Sequence, residues 1–349
     1  MRYLRPHGHD LQPLAAFASA LPCYSESTSV TTRRVIVAAA IAAAVVVIVV
    51  EIFVRAGAEP KTLPMTTRAR APTNSLVLVD SNNRVAAAVP LSGVPTRVAY
   101  GAGAFWVAVP SKGFVARVDA RTYAVRRLHV GEDPYDVAFG AGAVWVPDHD
   151  LGLVFRLDPS TGTARRTDSF HEPTVATGYG LGAAWAIVAP GDLKRIDPRT
   201  LAVTRTTSGV SYASEGLEPK ILFGDHQLIV ETPTTSLLTR VDRTGKVEKS
   251  QHVPDLTSAT AVGDAIWITD STSVVRLDGS SKTRVGTRPA DVAATRDSLW
   301  VAVYDDAVVK RVGTDGKLRG SVQLARTPVA VAAGDGMVGV AVTGSPVTR

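Results

Sequence analysis

The stretch YGAGAFWVAV, Tyr100–Val109, decides the fold because the chain repeats it. FGAGAVWVPD follows at Phe139–Asp148 and YGLGAAWAIV at Tyr179–Val188, each with a glycine turn before a short apolar strand. The central position of that strand recurs at intervals of 33 to 44 residues, at Trp106, Trp145, Trp185, Ile229, Trp267, Trp300 and Gly339. A period of about 40 residues with several short strands per repeat, as in WD40-like repeats, predicts a β-propeller.

Each repeat supplies four strands, which in the second repeat are YDVAFG, AVWVPD, LVFRLD and TARRTD. The third strand ends in a second repeated phrase, such as FRLDPSTG or KRIDPRT, whose Asp-Pro-x-Thr ending is typical of a hairpin turn. The last repeat has only two strands, and the missing two precede the first full repeat at residues 75–93. We therefore predict an all-β fold, a seven-bladed β-propeller over residues 75–344, closed by pairing between its N- and C-terminal strands.

Two residue types recur at fixed places in the repeat. The five tryptophans, Trp106, Trp145, Trp185, Trp267 and Trp300, are interpreted as packing between neighbouring blades rather than as ligand-stacking side chains. The arginine before each turn aspartate is interpreted as its ion-pair partner; these aspartates are Asp119, Asp158, Asp197, Asp242 and Asp278.

The N-terminal part of the chain is different in character. Residues 1–34 show no apolar periodicity and predict a loose cytoplasmic tail. Val35–Val54 is an apolar run with one charge, Glu51, and as a helix it would span about 30 Å, the thickness of a bilayer core. We predict one transmembrane helix over 35–54, followed by a proline-containing linker over 55–74. A cleaved signal peptide is the alternative, because AGA at Ala56–Ala58 is similar to a cleavage site.

Composition limits the function classes. The 349 residues carry a formal net charge of +6, but most of the excess lies before residue 75, so the propeller is close to neutral. A nucleic-acid-binding domain carries its basic excess on the folded part, so nucleic acid is not a predicted partner. The single cysteine, Cys23, excludes an intramolecular disulfide and a cysteine zinc site.

The repeat resembles the YVTN-repeat and YncE-like bacterial β-propellers, and it is also similar to the streptogramin B lyase-like propellers. The resemblance covers residues 75–344 and is carried by NSLVLVD, GAGAVWV and RLDPSTG. It implies a single-pass protein of the cell membrane with the propeller outside the cytoplasm. The flanking charges do not support this orientation, because basic residues are more numerous on the C-terminal side of the apolar run.

Acidic residues concentrate in the loops at one end of the predicted ring. The connections from the second to the third strand and from the fourth strand to the next blade lie at the same end. We predict a ligand- or cation-binding site at this acidic mouth, with Ca²⁺ or Mg²⁺ as the candidate cofactor, and solvated loops without function are the simpler alternative. The candidate residues are Glu132, Asp133, Asp148, His149, Asp150, His171, Glu172, Asp305 and Asp306. Glu215 and Glu218 belong to the same loops, whereas the opposite end is basic.

No catalytic residue is predicted, because the chain lacks HExxH, GxSxG and a phosphate-binding GK[ST] loop. We favour a membrane-anchored binding or sensor module whose protein or small-molecule ligand the sequence does not specify, held in the bilayer through residues 35–54. The alternative is a carbon–oxygen lyase resembling streptogramin B (virginiamycin B) lyase, with a metal-assisted site at the mouth. That reaction needs a histidine base beside carboxylates, for which His149, His171 and Glu172 are the candidates.

Overall fold

The computed structural model describes residues 71–210 and 218–344, which form seven four-stranded antiparallel sheets. The predicted all-β, seven-bladed propeller is confirmed. The predicted tail, the predicted helix over 35–54 and most of the predicted linker lie outside the described residues. Within the described ranges, no helix has the length and apolarity needed to cross a bilayer.

Six blades are continuous in sequence, and their strands follow one another from the channel outward. Blade 1 holds β3 Val98–Gly101, β4 Ala104–Val109, β5 Phe114–Asp119 and β6 Val125–His129. Blade 2 holds β7 Ala138–Gly140, β8 Ala143–Asp148, β9 Leu153–Leu157 and β10 Ala164–Arg166. Blade 3 holds β11 Thr174–Gly180, β12 Ala183–Val188, β13 Asp192–Ile196 and β14 Val203–Thr207. Blade 4 holds β15 Lys220–Phe223, β16 Leu228–Thr232, β17 Leu237–Val241 and β18 Val247–His252. Blade 5 holds β19 Ser258–Val262, β20 Ala265–Thr269, β21 Ser273–Arg276 and β22 Lys282–Arg284. Blade 6 holds β23 Pro289–Ala294, β24 Ser298–Val303, β25 Val308–Gly313 and β26 Leu318–Gln323. Short 3₁₀ turns occupy Pro110–Lys112 and Pro233–Thr235.

Blade 7 closes the ring. It is built from β27 Thr327–Gly334, β28 Met337–Thr343, β1 Ser75–Asp80 and β2 Val85–Pro90, and its strand order is β2-β1-β28-β27. The N-terminal strand β1 therefore pairs with the C-terminal strand β28, in a register that sets Ser75 opposite Val342. The innermost strands of successive blades contact one another around the whole circle, from β3 through β27 and back to β3.

The repeated Gly-x-Gly phrase has a conformational cause. Ala102 and Gly103 connect β3 to β4, and both have positive φ, 50° and 67°. Positive φ at both central residues defines the type I′ turn, whose twist matches that of a tight hairpin. The glycine before the turn serves a different purpose: a Cβ on Gly101 would overlap the ring of Phe139, and one on Gly140 would overlap the ring of Tyr179. The aromatic residue of each phrase thus packs on the glycine backbone of the preceding blade.

The tryptophans lie in the interior of the ring. Trp106, Trp145 and Trp185 are fully buried, and each indole Nε1 donates to the carbonyl of the glycine five residues earlier, at 3.0–3.1 Å. Each ring packs against the next blade, as Trp145 does against Ala184 and Ala186 of β12.

The predicted arginine–aspartate pairs form in two blades, Arg117–Asp119 at 3.5 Å and Arg276–Asp278 at 3.1 Å. For the other pairs, which include Arg156 and Asp158, the prediction is wrong for the described chain. The Asp158 carboxylate instead accepts the backbone N–H groups of its own turn, and the Arg156 guanidinium lies 5.9 Å from the centroid of the Trp145 ring.

Candidate functional site at the mouth of the central channel

A cavity of about 330 Å³ opens at one mouth of the channel, and we call it the channel-mouth cavity. Its walls come from the chain just before the innermost strands and from the ends of the second strands, so it lies at the end predicted to be acidic. The charged and aromatic side chains in its lining are Arg97, Tyr135, Glu218, Lys220, Glu231 and Tyr304.

Equivalent positions of the repeat bring four charges together inside the channel. One position of the repeat lies four residues before the first glycine of the Gly-x-Gly phrase; in blade 6, Thr295 stands in place of that glycine. This position holds alanine in three blades, at Ala176, Ala259 and Ala330. In the other four blades it holds Arg97, Asp136, Lys220 and Asp291. Two cations and two anions at one level of the ring neutralise one another, which is what charges in a poorly solvated channel require.

Lys220 and Asp291 form the tighter of the two pairs. The Lys220 Nζ lies 2.7 Å from the Asp291 Oδ1, and it also donates to the carbonyl oxygens of Ala259 and Val292, both at 3.2 Å. Burial raises the pKa of Asp291, but the cations of Lys220 and Arg97 lower it more, so the net direction is downward. Asp291 is therefore ionised at neutral pH.

Arg97 and Asp136 form a looser pair, with 4.0 Å between the Arg97 Nε and the Asp136 Oδ1. Burial raises the pKa of Asp136, and the more distant cation offsets this only in part. Arg97 Nη2 donates to the Glu218 carbonyl oxygen at 3.2 Å, and this is the one hydrogen bond of its guanidinium among the described residues. Most of its five N–H donors therefore remain available to a ligand.

Three carboxylates of the channel tie their own blade to the next one. Asp136 accepts the N–H of Thr177 at 3.0 Å, and Asp291 accepts that of Val331 at 2.9 Å. Glu231 accepts the N–H of Ala259 at 2.7 Å. These N–H groups belong to innermost strands, whose free edge faces the channel, so the carboxylates satisfy donors that the sheets leave unpaired.

Glu231 is the most perturbed acid of the cavity. It lies in β16, is 2% exposed, and uses one oxygen for the Ala259 N–H; the other makes no hydrogen bond to any described residue. Burial raises its pKa to about 7, an effect that Lys220 opposes and Asp291 reinforces. A carboxyl group that changes protonation near neutral pH is frequent at functional sites.

Glu218 stands beside Tyr135 at the opening of the cavity. Its Oε1 accepts from the Tyr135 hydroxyl at 3.4 Å, while its Oε2 is shielded from solvent and has no partner among the described residues. Burial raises the pKa of Glu218, and Arg97 partly offsets this. Burial and the neighbouring Glu218 together raise the pKa of Tyr135 to about 12, so its hydroxyl stays protonated.

Asp148, a residue predicted for the acidic mouth, is fully buried. Its Oδ2 accepts the N–H groups of Glu132 and Asp133 at 2.7 and 3.2 Å, and its Oδ1 accepts that of Leu151 at 2.9 Å. Asp148 therefore organises two loops and offers no free carboxylate to solvent.

Three other predicted residues meet at the rim. The His149 Nδ1 lies 3.1 Å from Asp150 and 3.8 Å from Asp133, and the His149 ring is 5.7 Å from the ring of Tyr135. Burial and the neighbouring Asp150 raise the pKa of Asp133, and His149 offsets part of the rise. Their potential ligand atoms lie within 4.8 Å of one another. One imidazole and two carboxylates do not match the six or more oxygens that Ca²⁺ and Mg²⁺ prefer.

The remaining predicted residues are spread along the rim. Asp305 pairs with Arg288 at 2.6 Å, and Asp306 accepts the N–H of Thr287 at 3.2 Å. Glu132, His171 and Glu172 are exposed. The structure thus groups Asp133, His149 and Asp150 and leaves the others apart.

The sequence reasoning missed the channel charges. Arg97, Asp136, Lys220 and Asp291 share one column of the repeat, and aligning the repeats on their first strand would have exposed that column. Glu231 carries a simpler signal, because it is the one acid in the apolar strand LIVET.

Comparison with solved structures shows the fold. A streptogramin B lyase superposes with a TM-score of 0.62 at 17% identity, over 77% of this chain and 95% of that one. Virginiamycin B lyase from Staphylococcus aureus gives 0.59 at 14% identity, over 77% of this chain and 99% of that one. BamB from Moraxella catarrhalis gives 0.53 at 16% identity, over 80% and 98%. No family model matches the sequence, and no curated protein matches it significantly.

Proposed function

We propose that this protein is a membrane-anchored binding module, without catalysis of its own, that takes its ligand in the channel-mouth cavity outside the cytoplasm. The apolar run over residues 35–54 supports the anchor, and the resemblance to YVTN-repeat propellers supports the orientation. The absence of catalytic motifs from the sequence supports binding over catalysis.

The main support for the proposal is that polar atoms in the cavity walls lack hydrogen-bond partners among the described residues. Arg97 has unused donors, and the Oε2 of Glu218 has no partner among the described residues. Glu231, in the wall behind them, has one oxygen unused. Polar groups that lack partners in a concave, partly apolar site cost free energy, and a ligand that supplies those partners recovers it.

A lyase is the second candidate, favoured by the fold shared with streptogramin B lyase and by the contact of His149 with Asp133 and Asp150. That group lies at the rim, and the lining of the cavity includes no histidine among the described residues. A base in this position would act on a substrate seated across the mouth rather than in the cavity.

A plugged cavity tests the proposal. Ala290 lines the cavity, so Ala290→Phe should fill it, whereas Ala164→Phe adds the same ring to an exposed position of β10. Full-length protein in detergent would be titrated with a panel of small amines, carboxylates, amino acids and di- and tripeptides, with melting temperature as readout.

We expect one chemical class to stabilise the wild type and Ala164→Phe but not Ala290→Phe. Equal stabilisation of all three proteins, or none for any of the panel, would contradict binding in the cavity. Ring opening of a streptogramin B by the wild type would establish the lyase instead.

A further inference from the structure

The charges of the cavity point to a class of ligand, an inference that rests on the proposed function. We propose that the channel-mouth cavity binds a small organic cation through a protonated amine held by Glu231 and Glu218.

The first argument is the charge balance. Arg97 and Lys220 are the cations of the lining, and each faces an aspartate of the same ring, Asp136 and Asp291. These four charges sum to zero, so Glu218 and Glu231 have no cation assigned to them. A ligand that brings positive charge would complete the balance, and an anion would add to the surplus.

The second argument concerns the hydrogen-bond partners of the Lys220 ammonium. The Lys220 ammonium is engaged by Asp291 and by the carbonyl oxygens of Ala259 and Val292, and it makes no hydrogen bond to Glu231. The free oxygen of Glu231 therefore meets the cavity, not the lysine. This oxygen is therefore an acceptor in the cavity wall that has no hydrogen-bond donor among the described residues.

The third argument is the nature of the walls. Val94, Pro95, Pro233 and Val329 give the cavity apolar surface suited to a hydrocarbon chain. Tyr304 binds a cation already, since the Arg288 guanidinium lies 4.1 Å from its ring centroid. A volume of about 330 Å³ equals that of roughly ten water molecules, which suits an amine of a few carbons.

A bare metal ion fits the cavity less well. Among the described residues, the one group of three acidic or histidine side chains with ligand atoms close together is at the rim, at Asp133, His149 and Asp150. Two glutamates supply few of the six to eight oxygen ligands that Ca²⁺ takes.

Binding of an ammonium should be linked to a proton. Glu231 faces the cations of Lys220 on β15 and Arg97 before β3, the anion of Asp291 on β23 and the N–H of Ala259 on β19. Burial raises the pKa of Glu231 to about 7, so part of the population is protonated at neutral pH. An arriving ammonium favours the ionised form, so Glu231 gives up its proton to solvent and affinity rises with pH until Glu231 is ionised.

Three four-carbon probes test the inference: putrescine, 1,4-butanediol and succinate, titrated by calorimetry into the full-length protein in detergent and phosphate buffer. Glu231→Gln keeps the shape and an oxygen for the Ala259 N–H but removes the charge. Glu218→Gln is a second variant that breaks no backbone hydrogen bond, and Glu132→Gln, exposed at the same end, is the matched control.

We expect putrescine to bind the wild type and the Glu132→Gln control, with affinity at least tenfold lower in Glu231→Gln. The wild-type affinity should fall about 16-fold from pH 7 to pH 5.5, whereas the Glu231→Gln affinity should fall less, because only Glu218 then couples the amine to a proton. Putrescine binding that Glu231→Gln and Glu218→Gln leave unchanged would overturn the inference. Succinate binding that Ala290→Phe abolishes would overturn the ammonium while leaving the proposed function in place. Binding of none of the three probes would also overturn it, and the wider panel then decides the proposed function.

Discussion

The buried carboxyl of Glu231 should make the stability of the protein fall as the pH rises. Folding raises its pKa from the ordinary 4.5 to about 7, because the folded chain buries the group. An acid whose pKa is higher in the folded state stabilises the fold fully below its unfolded pKa, and that stability is lost as pH rises through the folded pKa. At about 1.4 kcal/mol per pH unit, the loss is about 3 kcal/mol between pH 4.5 and pH 7.

Glu231→Gln isolates this effect, because the other buried carboxyl groups whose pKa is raised, such as Glu218 and Asp136, are common to both proteins. Urea unfolding of the full-length protein in detergent would be followed by tryptophan fluorescence, since all five tryptophans lie in the blades. We expect equal free energies of unfolding near pH 4.5 and a variant about 3 kcal/mol more stable than the wild type at pH 8. Unfolding free energies that run parallel over this range would refute the reasoning.

The other predictions concern packing, the rim and the anchor. Gly140→Ala should cost 2 kcal/mol or more because its Cβ overlaps the Tyr179 ring, whereas Gly142→Ala, with φ of 66° and open space around it, should cost only about 1 kcal/mol of backbone strain; equal melting temperatures would contradict this. Asp148→Asn should destabilise by about 2–3 kcal/mol through lost N–H acceptors, and Glu172→Gln by less than about 0.5 kcal/mol, as measured by urea unfolding. Protease added to intact cells should degrade the propeller and spare a cytoplasmic control protein; survival of the propeller would contradict the proposed orientation.

The fold was predictable because the residues that determine it recur at fixed positions of the repeat. The turn glycines supply positive φ, the apolar strands alternate with turn aspartates, and the missing strands of the last repeat are visible before the first. Periodicity does not show which atoms a polar side chain reaches. Asp148 and Asp150 look alike in sequence, yet one is buried as a backbone acceptor and the other is exposed.

The channel charges were hidden for a related reason. Lys220 and Asp291 are separated by a whole blade, so their pairing depends on the closed ring and not on local spacing. Counting the charges of loops located the acidic end but not the cavity, since Arg97, Lys220 and Glu231 belong to the strands or to residues immediately before them. Glu218 was among the loop acids considered, without any indication of its unpaired oxygen.

The split blade also determines which strand would bear a mechanical force applied to the N-terminal side of the propeller. The described chain begins at Ala71, whose carbonyl oxygen accepts from Arg326, and Asn74 contacts Thr343, which lines the cavity. The first described residues and the opening of the cavity therefore share one end of the ring, and a label meant to leave the mouth free belongs at the opposite turns, such as Ser160–Gly162. A pull on the N-terminal side would load β1 along its length between β2 and β28, so that many hydrogen bonds would have to shear at once instead of unzipping one by one.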